Sequence, residues 1–145
     1  MRFLFISFCF CFYFSFGNVG FNYSEERNFS SKDSIDALEA TIIWLNYLDN
    51  GDYLKSWNLS SVMLKDLVGL DVFSGQMQSV RSHFGDVIDR VFENCIYAEK
   101  LPGAPDGRYF VFTFNVIFEK KEQSLETITP VYEDGEWRVS GYYIK

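Results

Sequence analysis

The sequence predicts an α+β domain in which N-terminal helices pack on a curved four-stranded antiparallel sheet. Three observations lead to this prediction. Between residues 31 and 48, apolar residues recur at spacings of three, four, three and three, which is the period of a helix. From residue 108 to 118 every even position from Phe110 onward is apolar, as in a strand with one buried face. Asp134-Gly135 separates two further strand-like segments and is a strong signal for a two-residue hairpin. Helices followed by a meander of strands is the α+β order.

The helical part is expected to begin where serine gives way to the apolar repeat. Ser30 or Ser31 can cap the first helix, and Asn50-Gly51 ends it. The expected apolar face of this helix consists of Ile35, Leu38, Ile42, Leu45 and Leu48. After a short second helix, two more helical pieces are expected, one at 59–70 and one from a break near Ser74-Gly75 to residue 84.

Four strands are expected after residue 85, and the Asp134-Gly135 turn sets the register of the last two. The strands are predicted at 87–99, 108–118, 124–133 and 136–144. The expected cross-strand pairs are Glu133 with Glu136, Tyr132 with Trp137, Pro130 with Val139, Ile128 with Gly141, and Glu126 with Tyr143. A single bulge between these strands would change which side chains share a face.

Composition limits the kinds of partner. The 145 residues are 48% hydrophobic and 23% charged, which suits one compact domain at 31–145. Thirteen basic and twenty acidic residues give a net charge of −7, which argues against binding to nucleic acid or anionic lipid. The sequence has one histidine and lacks a phosphate loop, a dinucleotide fingerprint and a calcium loop. We therefore expect no cofactor and no metal.

The first 30 residues are predicted to be a signal peptide at 1–17 and a linker at 18–30. Arg2 precedes an apolar run at 3–16, whose length as a helix is about 21 Å, short of the roughly 30 Å hydrocarbon core of a membrane. Cleavage after Gly17 would leave 12 basic and 20 acidic residues, a net charge of −8, and Cys95 as the remaining cysteine. The mature protein is then periplasmic or secreted. In the alternative, an uncleaved segment anchors the domain to a membrane.

Blocks of uncommon residues occur in a particular order along the chain. They are Trp44-Leu45 with Asp49, Gly51-Asp52-Tyr53, Ser56-Trp57, Arg81 with Gly85 and Arg90, the turn at 101–107, Tyr109 and Phe118, Glu126-Thr127-Ile128-Thr129, Glu133-Asp134-Gly135, Trp137-Arg138-Val139, and Gly141-Tyr142-Tyr143-Ile144. Over about residues 35–145 this order resembles the bacterial family of domains of unknown function numbered 4019. The resemblance implies a small exported protein without an assigned activity and a cone-like fold of the nuclear-transport-factor-2 or cystatin kind. Such folds host isomerases, dehydratases, ligand carriers and dimerisation modules, so the fold does not fix the function.

Glu126 is the main candidate for chemistry. The predicted register places its carboxylate on an apolar face, where it could act as a general base or anchor a ligand. The candidate pocket residues are Glu126, Tyr132, Trp137, Tyr143 and Arg81. The plainer alternative is that Glu126 accepts a hydrogen bond from Tyr143 or pairs with Arg81 or Arg90, and only orders the strand. His83 comes with no nucleophile and is expected to be solvated or capping.

The odd positions of the second strand form a mixed face that lines a groove, meets solvent or associates with another copy. They are Tyr109, Val111, Thr113, Asn115 and Ile117. The expected function is therefore binding by an exported, soluble domain, either of a small apolar or amphipathic ligand or of a second copy in a homodimer. The alternative is a cofactor-free isomerase, dehydratase or hydrolase, with Glu126 as general base and Tyr143 or Arg81 stabilising negative charge.

Overall fold

The computed structural model describes residues 30–145, so the predicted signal peptide and nearly all of the linker lie outside the described residues. In the described range four helices precede four strands, which is the α+β order that the sequence predicts. The elements are α1 (Ser31–Asp49), α2 (Tyr53–Asn58), α3 (Val62–Leu67), α4 (Leu70–Phe84), β1 (Val87–Ala98), β2 (Tyr109–Phe118), β3 (Lys121–Glu133) and β4 (Glu136–Ile144). Within residues 30–145, no helix is long and apolar enough to cross a membrane.

Helix α1 begins where predicted, but its buried face differs from the predicted one. The Ser30 hydroxyl accepts a hydrogen bond from the backbone N–H of Asp33 at 3.1 Å, and the Asp33 carboxylate accepts one from the backbone N–H of Ser30. The buried residues are Ala37, Thr41, Trp44, Leu45 and Leu48. Ile35 and Ile42, expected in the core, are 63% and 37% exposed. The helix is turned so that Trp44, its largest side chain, is buried and donates through Nε1 to Ser60.

Helix α4 runs through the predicted break at Ser74-Gly75, so that prediction is wrong. Phe73 and Met77, on either side of this pair, are buried against the core. A glycine inside a helix costs about 1 kcal/mol, which is less than the burial of two large apolar side chains gains.

The sheet has the strand order β1-β2-β3-β4, with every neighbouring pair antiparallel. We call the side that faces the helices the inner face and the opposite side the outer face. The even residues of β2 cover the inner face and are buried: Phe110, Phe112, Phe114, Val116 and Phe118. Helix α1 packs mainly on β4 and β3. One side of a curved antiparallel sheet therefore forms the core with the helices.

A bulge at Ser140 corrects the predicted register. The hairpin pairs of Glu133, Tyr132 and Pro130 are as predicted, and then Thr129 pairs with Gly141, Ile128 with Tyr142, and Glu126 with Ile144. The predicted pairs of Ile128 with Gly141 and of Glu126 with Tyr143 are therefore wrong. Pro130 has no N–H to donate to the ladder, which is why the bulge occurs beside it. Tyr142 consequently points to the inner face, and Tyr143 lies on the outer face with 51% of its surface exposed.

Candidate functional site

A buried cluster of charged groups joins five elements beneath the sheet. We call it the ion-pair cluster, and it consists of Asp49 at the end of α1, Arg81 in the last turn of α4, Arg90 on β1, Glu126 on β3 and Tyr142 on β4. Each of these groups contacts at least two of the others. The cluster therefore fixes the helices to three strands of the sheet.

Glu126 lies in the ion-pair cluster with no exposed surface. Its Oε2 accepts a hydrogen bond from Arg90 Nε at 2.7 Å. Its Oε1 accepts one from the Tyr142 hydroxyl at 2.6 Å and one from Arg81 Nη2 at 3.2 Å. Both carboxylate oxygens are thus engaged by the protein itself.

Asp49 supplies the second negative charge. It accepts two hydrogen bonds from Arg90, at 2.6 and 3.0 Å, in the two-pronged geometry that suits a guanidinium and a carboxylate. Arg81 Nη2 lies 3.0 Å from Oδ1 of the same carboxylate. Two arginines and two carboxylates make the cluster neutral, which is the condition for keeping such charges out of water.

The cluster changes the ionisation of two of its members. Burial lowers the pKa of Arg90, but the hydrogen bonds and negative charges of Asp49 and Glu126 outweigh this effect and raise the pKa above its usual value. Burial and the charge of Glu126 hold the pKa of Tyr142 well above that of an ordinary tyrosine. Tyr142 therefore stays protonated and donates to Glu126.

Gly85 brings Arg81 and Arg90 to the same place. It ends α4 with φ of +78°, and its N–H donates to the carbonyl of Arg81 at 2.8 Å. A Cβ at this position would lie 2.9 Å from Cβ of Glu119. The tight reversal sends β1 back beside the last turn of α4, so that both arginines reach Glu126.

Arg81 has donors that the cluster does not use. Its Nε and Nη1 are buried and have no acceptor among the described residues. Its guanidinium carbon lies 5.4 Å from the ring centre of Phe118 and 5.8 Å from that of Tyr142. Arg81 is therefore the member of the cluster with spare hydrogen-bonding capacity.

The other predicted pocket residues lie elsewhere. Tyr132 and Trp137 contact each other at a ring-centre distance of 5.2 Å, six positions along β3 from Glu126, or roughly 20 Å. Their cation is Arg108, whose guanidinium lies 4.4 Å from the ring centre of Tyr132 and 2.7 Å from Asp33. The structure thus brings Arg81 to Glu126 but leaves Tyr132, Trp137 and Tyr143 apart from it.

Asp49, Tyr142 and Arg108 have roles that were not predicted from the sequence. Asp49 could have been noticed as the last residue of a helix, but nothing local pairs it with an arginine 41 positions away. Because of the bulge at Ser140, Tyr142 and not Tyr143 faces Glu126. His83 is exposed at the end of α4. Burial raises the pKa of the Cys95 thiol to about 11. In the part of the chain that the structure describes, no three His, Cys, Asp or Glu side chains are grouped to hold a metal ion.

The outer face of the sheet is the second candidate site. The register aligns its side chains in rows across the strands. Three of these rows are Val91, Asn115, Leu125 and Lys145, then Asn94, Thr113, Thr127 and Tyr143, then Ile96, Val111, Thr129 and Gly141. The second and third rows contain no charged side chain, whereas Lys145 ends the first row and Glu93 is exposed at the bulge of β1 between the first two rows. Tyr109, also from β2, is instead buried below the turn at 101–107, where its hydroxyl donates to the Pro105 carbonyl at 2.8 Å.

A hollow opens at one end of the outer face. It is a cavity of about 550 Å³ that is open to solvent. Its lining includes Asp89, Val91, Asn115, Ile117, Glu122, Leu125 and Lys145. Val91, Val116, Ile117 and Leu125 are its apolar lining residues, and Asp89, Glu122 and Lys145 are its charged ones.

Comparison with known proteins identifies the family. Residues 40–142 match the model of the family described as "Protein of unknown function (DUF4019)". The chain belongs to this family. The predicted family is thus confirmed, and both the ion-pair cluster and the outer face lie within the matched residues of this DUF4019 protein, apart from Tyr143 at the end of β4.

A solved structure supports the cone-like α+β architecture. The structure of Aln2 from a Streptomyces species is similar with a TM-score of 0.52 and 14% identity, over 80% of this chain and 91% of that chain. At this identity the likeness concerns the fold alone. No curated protein matches the DUF4019 chain.

Proposed function

We propose that this DUF4019 protein is an exported association domain whose copies pair through the outer faces of their sheets. One observation carries the proposal. Two neighbouring rows of the outer face, from Asn94 to Tyr143 and from Ile96 to Gly141, contain no charged side chain, in a chain with 13 basic and 20 acidic residues. The central part of a protein interface is depleted of charged residues.

The size of the outer face suits a dimer. Four strands about 4.8 Å apart, each about ten residues long with a rise of about 3.3 Å, cover roughly 19 by 33 Å. This projected area of roughly 600 Å² corresponds to a larger accessible surface, because side chains project from it. A standard interface buries about 800 Å² on each partner. The outer face is therefore large enough without help from the helices.

The enzyme alternative has weaker support from the geometry. A general base must come within hydrogen-bond distance of the proton that it removes. Glu126 has no exposed surface, and Arg81, Arg90 and Tyr142 occupy its oxygens. The same contacts favour a role in which the ion-pair cluster holds the helices against the sheet, and leaves the outer face free to bind.

Export is part of the proposal and rests on the sequence of the first 17 residues. One basic residue, an apolar run too short to span a membrane, and small residues at the end are the pattern of a signal peptide. We place the mature domain in the periplasm or outside the cell.

The edge of the sheet at β4 is covered by Ser60 and Ser61. The Ser61 N–H donates to the Val139 carbonyl at 2.8 Å, so pairing by faces is favoured over pairing by that edge.

A charge at the middle of the outer face tests the proposal. Thr127 lies between Thr113 and Tyr143 in the central row, and Thr127→Lys would bury two ammonium groups in the dimer. Ser82→Lys, on the exposed side of α4, adds the same charge away from the sheet. We expect sedimentation of the full-length gene product, purified from an exporting bacterial host, to show dimers for the wild type and Ser82→Lys, and monomers for Thr127→Lys. Equal association of both variants would contradict the proposal.

A further inference from the structure

A protruding side chain and a hollow lie on the same outer face. Tyr143 on β4 is 51% exposed, and its neighbour in the row, Thr127, is on β3. The hollow of about 550 Å³ lies across β1, β2, the start of β3 and Lys145, which pairs with Leu125 just beyond the end of β4. Tyr143 is two residues from Lys145 along the chain and therefore lies beside the hollow.

We propose that, in the dimer, Tyr143 of each copy inserts into the hollow of the other copy. This inference rests on the proposed function, and it identifies a contact that would hold the dimer together. In a two-fold symmetric interface every contact occurs twice. If a residue of the first copy contacts a different residue of the second copy, the same two residues also meet with the copies exchanged. A protrusion and a hollow on one face thus satisfy each other twice.

The chemistry of the hollow suits a tyrosine. Val91, Ile117 and Leu125 offer apolar surface to the ring. Asp89 and Glu122 line the hollow and form no ion pair with another described residue, so their carboxylates are available to accept a hydrogen bond from the phenol hydroxyl. A tyrosine with an apolar body and a polar tip is a frequent centre of binding energy in interfaces.

The shape of the hollow favours a second copy over a small ligand. Sites for small molecules enclose about 70–90% of the ligand surface. This hollow is open to solvent along one side, and only a wide surface placed over it would close it. The outer face of another sheet is such a surface, and it carries Tyr143.

Photo-crosslinking from position 143 tests the inference. We would incorporate p-benzoyl-phenylalanine at Tyr143 in the full-length gene product, irradiate the purified protein, and map crosslinks between isotopically labelled and unlabelled copies by mass spectrometry. The same probe at Leu54, which is 53% exposed on α2, is the matched control. We expect crosslinks between copies from position 143 to residues 89–91, 115–117 or 122–125, and none from position 54.

The outcomes separate this inference from the proposed function. Crosslinks between copies from position 143 to other parts of the outer face would overturn the insertion of Tyr143 and leave pairing by outer faces in place. Absence of crosslinks between copies, with a monomer in sedimentation, would overturn both. A bound small molecule that protects position 143 from crosslinking would overturn the choice of a second copy as occupant.

Affinity provides a second measurement. We expect Tyr143→Ala to raise the dimer dissociation constant by about tenfold or more, as for a central interface residue. Leu54→Ala should leave the constant unchanged within about twofold, since its side chain is equally exposed but lies away from the sheet. Equal constants for the two variants would contradict the insertion of Tyr143.

Discussion

Replacing Glu126 by glutamine should strongly destabilise the protein. Glutamine keeps the shape of the side chain but removes its charge, and it replaces one acceptor oxygen by a donor. Arg90, Arg81 and Tyr142 now donate to Glu126 at 2.7, 3.2 and 2.6 Å. In the variant the ion-pair cluster keeps two buried arginines and one carboxylate, so a positive charge is left uncompensated.

The expected cost follows from this imbalance. Removing one partner from a buried ion pair costs about 3–5 kcal/mol, because the remaining charge stays out of water. Glu126 has no exposed surface, so solvent does not screen the loss. Against a typical total of about 5–15 kcal/mol, this is at least about a fifth of the free energy of unfolding.

Urea unfolding measures the effect. With a slope of about 1.5 kcal/mol per molar urea, the midpoint should fall by about 2–3 M. Tryptophan fluorescence is a suitable signal, because the ring of Trp44 lies 5.5 Å from that of Tyr142 in the cluster. The control is Glu136→Gln, whose carboxylate is 67% exposed and pairs with Arg138 at the surface, and whose midpoint should barely change. A shift below about 0.5 M for Glu126→Gln would refute this explanation of the cluster.

Three further variants test the ion-pair cluster and the glycines of α4. Tyr142→Phe should lower the free energy of unfolding by about 1–3 kcal/mol at neutral pH, since it removes the hydrogen bond to Glu126. The pKa of Tyr142 is raised in the folded state, so its contribution is complete below about pH 10 and is lost as the pH rises towards the folded value. The variant should therefore lose less stability than the wild type above about pH 10 in urea titrations, and parallel pH curves would contradict this. Gly85→Ala should cost at least about 1–3 kcal/mol, because of the positive φ and the contact with Glu119, whereas Gly75→Ala in α4 meets nothing within 4 Å and should stabilise by about 0.5–1 kcal/mol. Calorimetric melting temperatures that move in the same direction for both glycine variants would show that this explanation of Gly85 is wrong.

Local signals in the sequence predicted the elements well. The cap at Ser30 and the hairpin at Asp134-Gly135 depend on residues within four positions of each other, so their structures can be read from short segments. The alternation in β2 likewise predicts an apolar inner face and the mixed outer face. These are features that the chain forms with its immediate neighbours.

Features that depend on distant residues were not predicted. The bulge at Ser140 lies opposite Pro130, and its occurrence decided which of Tyr142 and Tyr143 faces Glu126. Helix α1 is rotated about its axis so that Trp44 is buried in place of Ile42, and this rotation depends on the hydrogen-bond acceptor at Ser60. Interactions of this kind follow from the packing of complete elements, so a single sequence provides the candidates without their partners.

Native mass spectrometry of the full-length gene product from a bacterial cell envelope tests the central claim most directly. One spectrum reports the mass of the chain, the number of copies and any bound molecule. We predict a dimer of chains without added mass. A monomer that carries a small molecule, or a monomer without any bound mass at about 100 µM, where a standard interface would be populated, would contradict the proposed pairing.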